Sequence, residues 1–235
     1  MNPATWGFQL LLAIASAVYP PRGTREVTES PQHTFRIESY YGSEGALPNA
    51  TWIIPRDKKA GKVALPDPPH PSKLFSYQFS VSPDEQWIVL EQKQGSGVNA
   101  VWLYERTAPF HYTEVKPSSF SEQAWRFLGK QTHRKFHTND FISIIRVSDW
   151  PKAGSHVRKI ALCGGDEKTV VPTANDHALL ISLLGDDDKT SVDLWFCYYD
   201  LEKRCFYLDA ALQKYNKGRV TPSRHQGRPS LMLRV

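Results

Sequence analysis

Cysteine is scarce in this chain of 235 residues, with three present. Three are too few for a disulfide scaffold, and an odd number leaves at least one unpaired within a monomer. Cys197 and Cys205, on either side of Tyr-Tyr-Asp-Leu-Glu-Lys-Arg, are the one pair that a strand-turn-strand could bring together, provided the register sets them directly opposite. Cys163 reads as a core residue. Only two methionines are present, against 12 % aromatic residues, which favours half-buried strand surfaces over a helical bundle. No apolar run approaches the roughly 20 residues that cross a bilayer as a helix, and a mean hydropathy of −0.45 excludes a polytopic membrane protein. Also missing are a Gly-x-Ser-x-Gly elbow, a phosphate loop and a dinucleotide glycine fingerprint, so no cofactor is expected.

Acidic residues are absent beyond Asp209, where Lys214, Lys217, Arg219, Arg224, Arg228 and Arg234 stand alone. These six exceed the net charge of +5, so the rest of the chain is close to neutral. A folded basic face for nucleic acid is therefore not expected, and attraction to an anionic surface is assigned to the C-terminal segment.

What is present begins with a start resembling a secretory signal peptide. An apolar run from Trp6 leads to Ala15-Ser16-Ala17, small residues spaced as a signal peptidase requires, although no Lys or Arg precedes Trp6. Residues 1–17 are read as the signal, 18–34 as a linker, 35–217 as one mainly antiparallel β domain and 218–235 as a basic disordered tail. Export to the periplasm or the medium follows from the signal.

Within the domain, alternation of apolar residues marks Tyr77 to Val81 and Trp87 to Gln92 as a hairpin around Ser82-Pro83-Asp84. Val101 to Tyr104 and Phe110 to Val115 extend it to a four-stranded meander. A second, similar unit follows, running from Thr173 through Leu179 to Ser182, then Leu194 to Tyr199, a turn at Asp200 to Arg204, and Cys205 to Leu208. Two short helices are expected. Ser119 and Glu122 form a capping box for the first, with Phe120, Ala124, Phe127 and Leu128 on one stripe and Gly129 as its stop, and Asp209 caps the second before Gly218.

The segment Phe79-Ser-Val-Ser-Pro-Asp-Glu-Gln-Trp-Ile-Val-Leu with Val101-Trp-Leu-Tyr resembles one blade of the WD40-like repeats of TolB-type β-propellers. Those repeats carry Gly after Ser-Pro-Asp, where Glu85 stands here. The two units cover about 75 residues, and at about 40 to 45 residues per blade the chain holds four or five, the lower edge of closed propellers. The resemblance implies an open or partial propeller-like sheet.

Four groups of residues carry potential chemistry. Trp87, Trp102 and Trp195 could form a stacking platform for a protein or glycan partner, or could be core anchors. Asp186, Asp187 and Asp188, with Asp193 beyond, offer hard oxygen ligands for calcium but lack the EF-hand order, and otherwise form a solvated hairpin loop. His133 and His137 have the spacing of a helical zinc pair, though amid Lys130, Arg134 and Lys135, which repel a dication. His156, Cys163 and His177 are the neighbours from which a hydrolase site could be assembled only in three dimensions. With no catalytic motif, the expected function is an exported, non-enzymatic binding module of the cell envelope, with a secreted hydrolase as the alternative.

Overall fold

The computed structural model describes residues 25–41, 48–73, 75–95, 98–115, 119–136, 142–151, 157–161, 167–170, 177–187 and 189–223. The described chain is mainly β, in antiparallel and mixed sheets, none of them closed. No helix among the described residues is long and apolar enough to cross a membrane.

Order starts before Phe35. Residues Arg25–Glu29 form β1, which pairs antiparallel with β2 (Phe35–Tyr41), followed by β3 (Pro48–Pro55) and the short β4 (Val63–Ala64) in a four-stranded sheet. The segment expected to be a linker thus supplies an edge strand. Its sequence, Arg-Glu-Val-Thr-Glu, has a single aliphatic residue and gives no period to read, because an edge strand exposed on one face needs little apolar content.

The larger sheet holds both hairpin units. The first contains β5 (Tyr77–Val81), β6 (Trp87–Gly95), β7 (Val98–Ala108) and β8 (His111–Glu114); the second contains β9 (Ile142–Val147), then, beyond a separate hairpin of β10 (Arg158–Ala161) and β11 (Glu167–Val170), β12 (Ala178–Asp186), β13 (Thr190–Asp200) and β14 (Cys205–Tyr207). Strand order within each unit is the same, β5-β6-β7-β8 and β9-β12-β13-β14, with every neighbour antiparallel.

The units meet where β7 runs parallel to β9, through a single ladder pair, Val98↔Ser143. Side chains replace the ladder beyond it. Asn99 donates to the Ile145 carbonyl (2.5 Å) and accepts from its amide (2.7 Å), while Glu91 accepts from the Val147 amide (3.3 Å) and pairs with Arg146 (3.2 Å). Buried backbone groups at this fork are thereby satisfied without a strand partner.

Helix α1 (Phe120–Thr132) lies over the fork. Ser119 caps it as expected, accepting from the Glu122 amide (3.2 Å), but the helix continues past Gly129 to end at His133, in the left-handed conformation (φ 55°). Gly129 is required for a different reason: a Cβ there would lie 2.6 Å from the carbonyl oxygen of Arg134, where the chain folds back. The buried stripe includes Trp125, whose ring covers Gly185 so closely that a Cβ there would approach it to 2.7 Å. Phe120 and Phe127 of α1 reach Tyr199 and Trp195 of β13, at ring separations of 4.9 and 6.0 Å. Helix α2 (Ala210–Tyr215) begins at the Asp209 cap and covers the other face of β13.

The residues after Gly218 are not all tail. Val220–Pro222 form β15, an edge strand paired with β13 through Thr190 to Val192, and Arg219 joins it by an ion pair to Asp193 (2.9 Å) and a carbonyl accepting from the Asp193 amide (2.8 Å). Deleting Arg219 to Val235 should therefore lower the thermal midpoint by several degrees, since roughly 1 to 2 kcal/mol of edge pairing corresponds to about that shift in a chain of this size. A differential scan of the truncated chain checks it, and an unchanged midpoint would show that β15 adds nothing. Residues 224–235 lie outside the described residues.

Candidate functional site

At the end of the large sheet away from the Val98–Ser143 junction, turns of the two units come together around a cleft of about 480 Å3. From the first unit come the Ser82–Asp84 turn, Trp87 at the start of β6 and Glu105 on β7. From the second come Trp150 and Pro151 after β9, His177 before β12, and Leu201, Glu202 and Arg204 of the β13–β14 turn.

Each side chain is held by local chemistry. Ser82 accepts from the Trp87 amide (2.9 Å) and donates to Asp84 (2.5 Å), whose carboxylate also accepts from the Gln86 amide (3.0 Å), so the turn is closed by its own polar groups. Glu85 takes φ 55°, the region glycine favours. On the other wall, Asp200 accepts from the amides of Glu202 (3.1 Å) and Lys203 (2.8 Å) and orders the turn. Burial pushes the Asp200 carboxyl up, but these bonds and the Lys203 ammonium outweigh it and hold it below its ordinary value.

Trp87 and Trp150 are half-buried, each packed on one side against the core. Around them stand polar side chains contributed by both units. Arg204 binds Glu105 across the two units (2.8 Å), and His177 lies 3.5 Å from Glu202. The cleft thus combines apolar ring surface with planar polar groups, among them three carboxylates, Asp84, Glu105 and Glu202, and one guanidinium, Arg204.

The sequence-designated residues are distributed differently. Of the three tryptophans, only Trp87 lines this cleft. Trp195 is 3 % exposed and belongs to the core under α1, and Trp102, also 3 % exposed, packs against the small sheet and edges a second hollow of about 730 Å3 near Ser121 and Ser143. Trp102 and Trp195 therefore offer no open stacking face. Trp150 was missed because it stands in an irregular segment, in Asp149-Trp150-Pro151, with no periodicity to mark it.

Cys197 and Cys205 are not bonded. The hairpin pairs Asp200 with Cys205 and Tyr199 with Phe206, so its turn is Leu201–Arg204 and the two cysteines fall on opposite faces, Cys197 buried and Cys205 exposed. Burial raises the Cys197 thiol pKa well above its ordinary value, leaving it inert. Asp187 spends a carboxylate oxygen on the amides of Lys189 (2.9 Å) and Thr190 (2.5 Å), closing its own loop, while Asp188 lies outside the described residues. Among the described residues no three His, Cys, Asp or Glu side chains gather as a metal site. His133 is the C-cap of α1, and His137, His156 and Cys163 lie outside the described residues, as does the segment read as a signal peptide.

No protein-family model matches the chain, and no curated protein and no solved structure matches it.

Proposed function

We propose that the chain is an exported, non-enzymatic binding module of the cell envelope, and that its ligand is a glycan held in the cleft between Trp87 and Trp150. The observation that carries this reading is the meeting of two half-buried indoles with fixed hydrogen-bonding side chains in one cleft, above all the Glu105–Arg204 pair, with Glu202 and His177 beside it. A pyranose ring presents C–H groups on one face, which stack on an indole, and hydroxyls at its rim, which both donate and accept. A carboxylate and a guanidinium fixed side by side serve both functions, and their mutual pairing keeps them oriented. On this reading the two hairpin units are blade-like repeats of the TolB kind, and the ligand lies where their turns meet. Basic residues of the C-terminal segment add salt-sensitive attraction to an anionic envelope surface.

Titrating the protein with soluble envelope oligosaccharides, followed by calorimetry and tryptophan fluorescence, tests the reading. Trp150→Ala should weaken binding at least about tenfold, equivalent to about 1.4 kcal/mol, because a stacking residue in a binding cleft contributes on that scale. Equal binding by the variant would remove the cleft from the account. Asp84, Glu105 and Glu202 in one cleft favour a second reading, a secreted hydrolase, and new reducing ends appearing during the titration would establish it in place of binding.

A further inference from the structure

We propose that β1 is an interface for a second copy of this chain, with two β1 strands pairing antiparallel about Val27. β1 is the outer strand of the small sheet, and no described strand pairs with its other edge. The hydrogen-bond phase of that edge follows from the register. Ser30, one position beyond β1, donates to the Phe35 carbonyl (3.1 Å), and its position opposite Phe35 continues the series Glu29↔Arg36, Thr28↔Ile37 and Val27↔Glu38. Bonded and non-bonded pairs alternate along an antiparallel ladder. Thr28 and Glu26 therefore bond to β2, while Arg25, Val27 and Glu29 turn their N–H and C=O groups outward.

Those three positions are self-complementary. An antiparallel partner centred on Val27 sets Val27 opposite Val27 of the second copy and Arg25 opposite its Glu29, twice, by the two-fold axis. Every outward amide and carbonyl at the three positions then meets a matching group, and the side chains facing each other across the seam are one apolar pair flanked by two opposite-charge pairs. The exposures fit this use. Val27 is 41 % exposed, an unusual position for the strand's one aliphatic side chain, and Arg25 keeps 54 % of its side chain exposed while touching Glu38. An edge carrying a central lysine or proline would resist such pairing, and β1 has neither.

A five-residue seam is small beside a standard interface, so the dimer should be weak, populated at roughly 100 µM and above. Sedimentation equilibrium of the full chain over a concentration series around that value should show the mass rising from monomer toward dimer. Val27→Lys and Val27→Glu each place like charges against one another across the axis, and each alone should remain monomeric. An equimolar mixture should recover the dimer as a heterodimer, an outcome that local damage to the fold would not produce. Thermal midpoints within a few degrees of the parent show that both variants are folded. A parent monomeric at every concentration, as expected if this edge serves another partner or none, would overturn the proposal. So would a dimer that persists in both single variants.

Discussion

Trp195→Ala should destabilise the protein by about 3 to 5 kcal/mol, the usual cost of truncating a large aromatic in a close-packed core. For a chain of this size that corresponds to a fall in thermal midpoint of roughly 10 °C or more. The indole is 3 % exposed on β13, stands opposite Leu183 of β12, and meets Phe127 of α1. Its removal would open a space bounded by a sheet on one side and a helix on the other. Neither wall can close it, because β13 is clamped between β12 and β14 and α1 is tied down by Phe120 against Tyr199. Trp87→Ala should cost distinctly less, since half-buried Trp87 faces the cleft and solvent already reaches part of it. Urea melts of the two variants give the comparison, and equal midpoints would show that the two tryptophans occupy equivalent environments.

That contrast also shows how far the sequence could be read. Strands with strict alternation, such as Tyr77 to Val81, were legible because one face of each is wet and the other dry. The aromatic run Leu194 to Tyr199 is not alternating, since β13 is covered by α1 on one face and α2 on the other, and this double burial is what an unbroken apolar run implies. Both helix starts were legible, because Ser119 and Asp209 act through the three residues that follow them. The end of α1 was not, since Gly129 answers to a contact with Arg134 rather than to the helix's own terminus. The hairpin after Cys197 was placed but its register was not. A shift in the turn moves every side chain relative to its partner, and that shift separates the two cysteines. Of the cleft, Trp87 and His177 were singled out in the sequence, though in separate groups. Its other residues come from turns and irregular segments whose convergence depends on the fork between β7 and β9, and that fork rests on Asn99 and Glu91, two polar residues that no periodicity marks for burial.

Glu85→Gln should cost about 2 to 3 kcal/mol at neutral pH and progressively less as the solution is acidified. Glu85 is 1 % exposed and joins the two sheets. Its carboxylate accepts from the Gln32 amide (3.0 Å) and from the hydroxyl of Thr34, while its carbonyl accepts from Tyr112 (2.6 Å). Burial pushes the carboxyl up, but hydrogen bonds from Ser30, Thr34 and the Gln32 and Thr34 amides outweigh it and hold the group below its ordinary value of 4.5. A carboxyl depressed in the folded state contributes stability that is present above the unfolded value and lost as pH falls through the folded one. Between neutrality and about pH 4.5 this contribution is constant, and below that it drains away. Glutamine turns an amide N–H₂ toward donors that a carboxylate would accept, so the variant lacks the contribution from the outset and its acid limb is flatter. Glu91 has the opposite sign. Burial between β6 and β9 raises its carboxyl in spite of Arg146 and the Val147 amide, so its share of stability is full below pH 4.5 and lost as pH rises through the raised value. The parent should then gain slightly in stability on mild acidification before falling steeply, with the gain belonging to Glu91 and the fall in part to Glu85. Chemical melts from pH 7.5 to 3 on the parent, Glu85→Gln and Glu91→Gln separate the two effects. Parallel curves for the parent and Glu85→Gln below pH 4.5 would mean that the junction between the sheets does not depend on an ionised carboxylate.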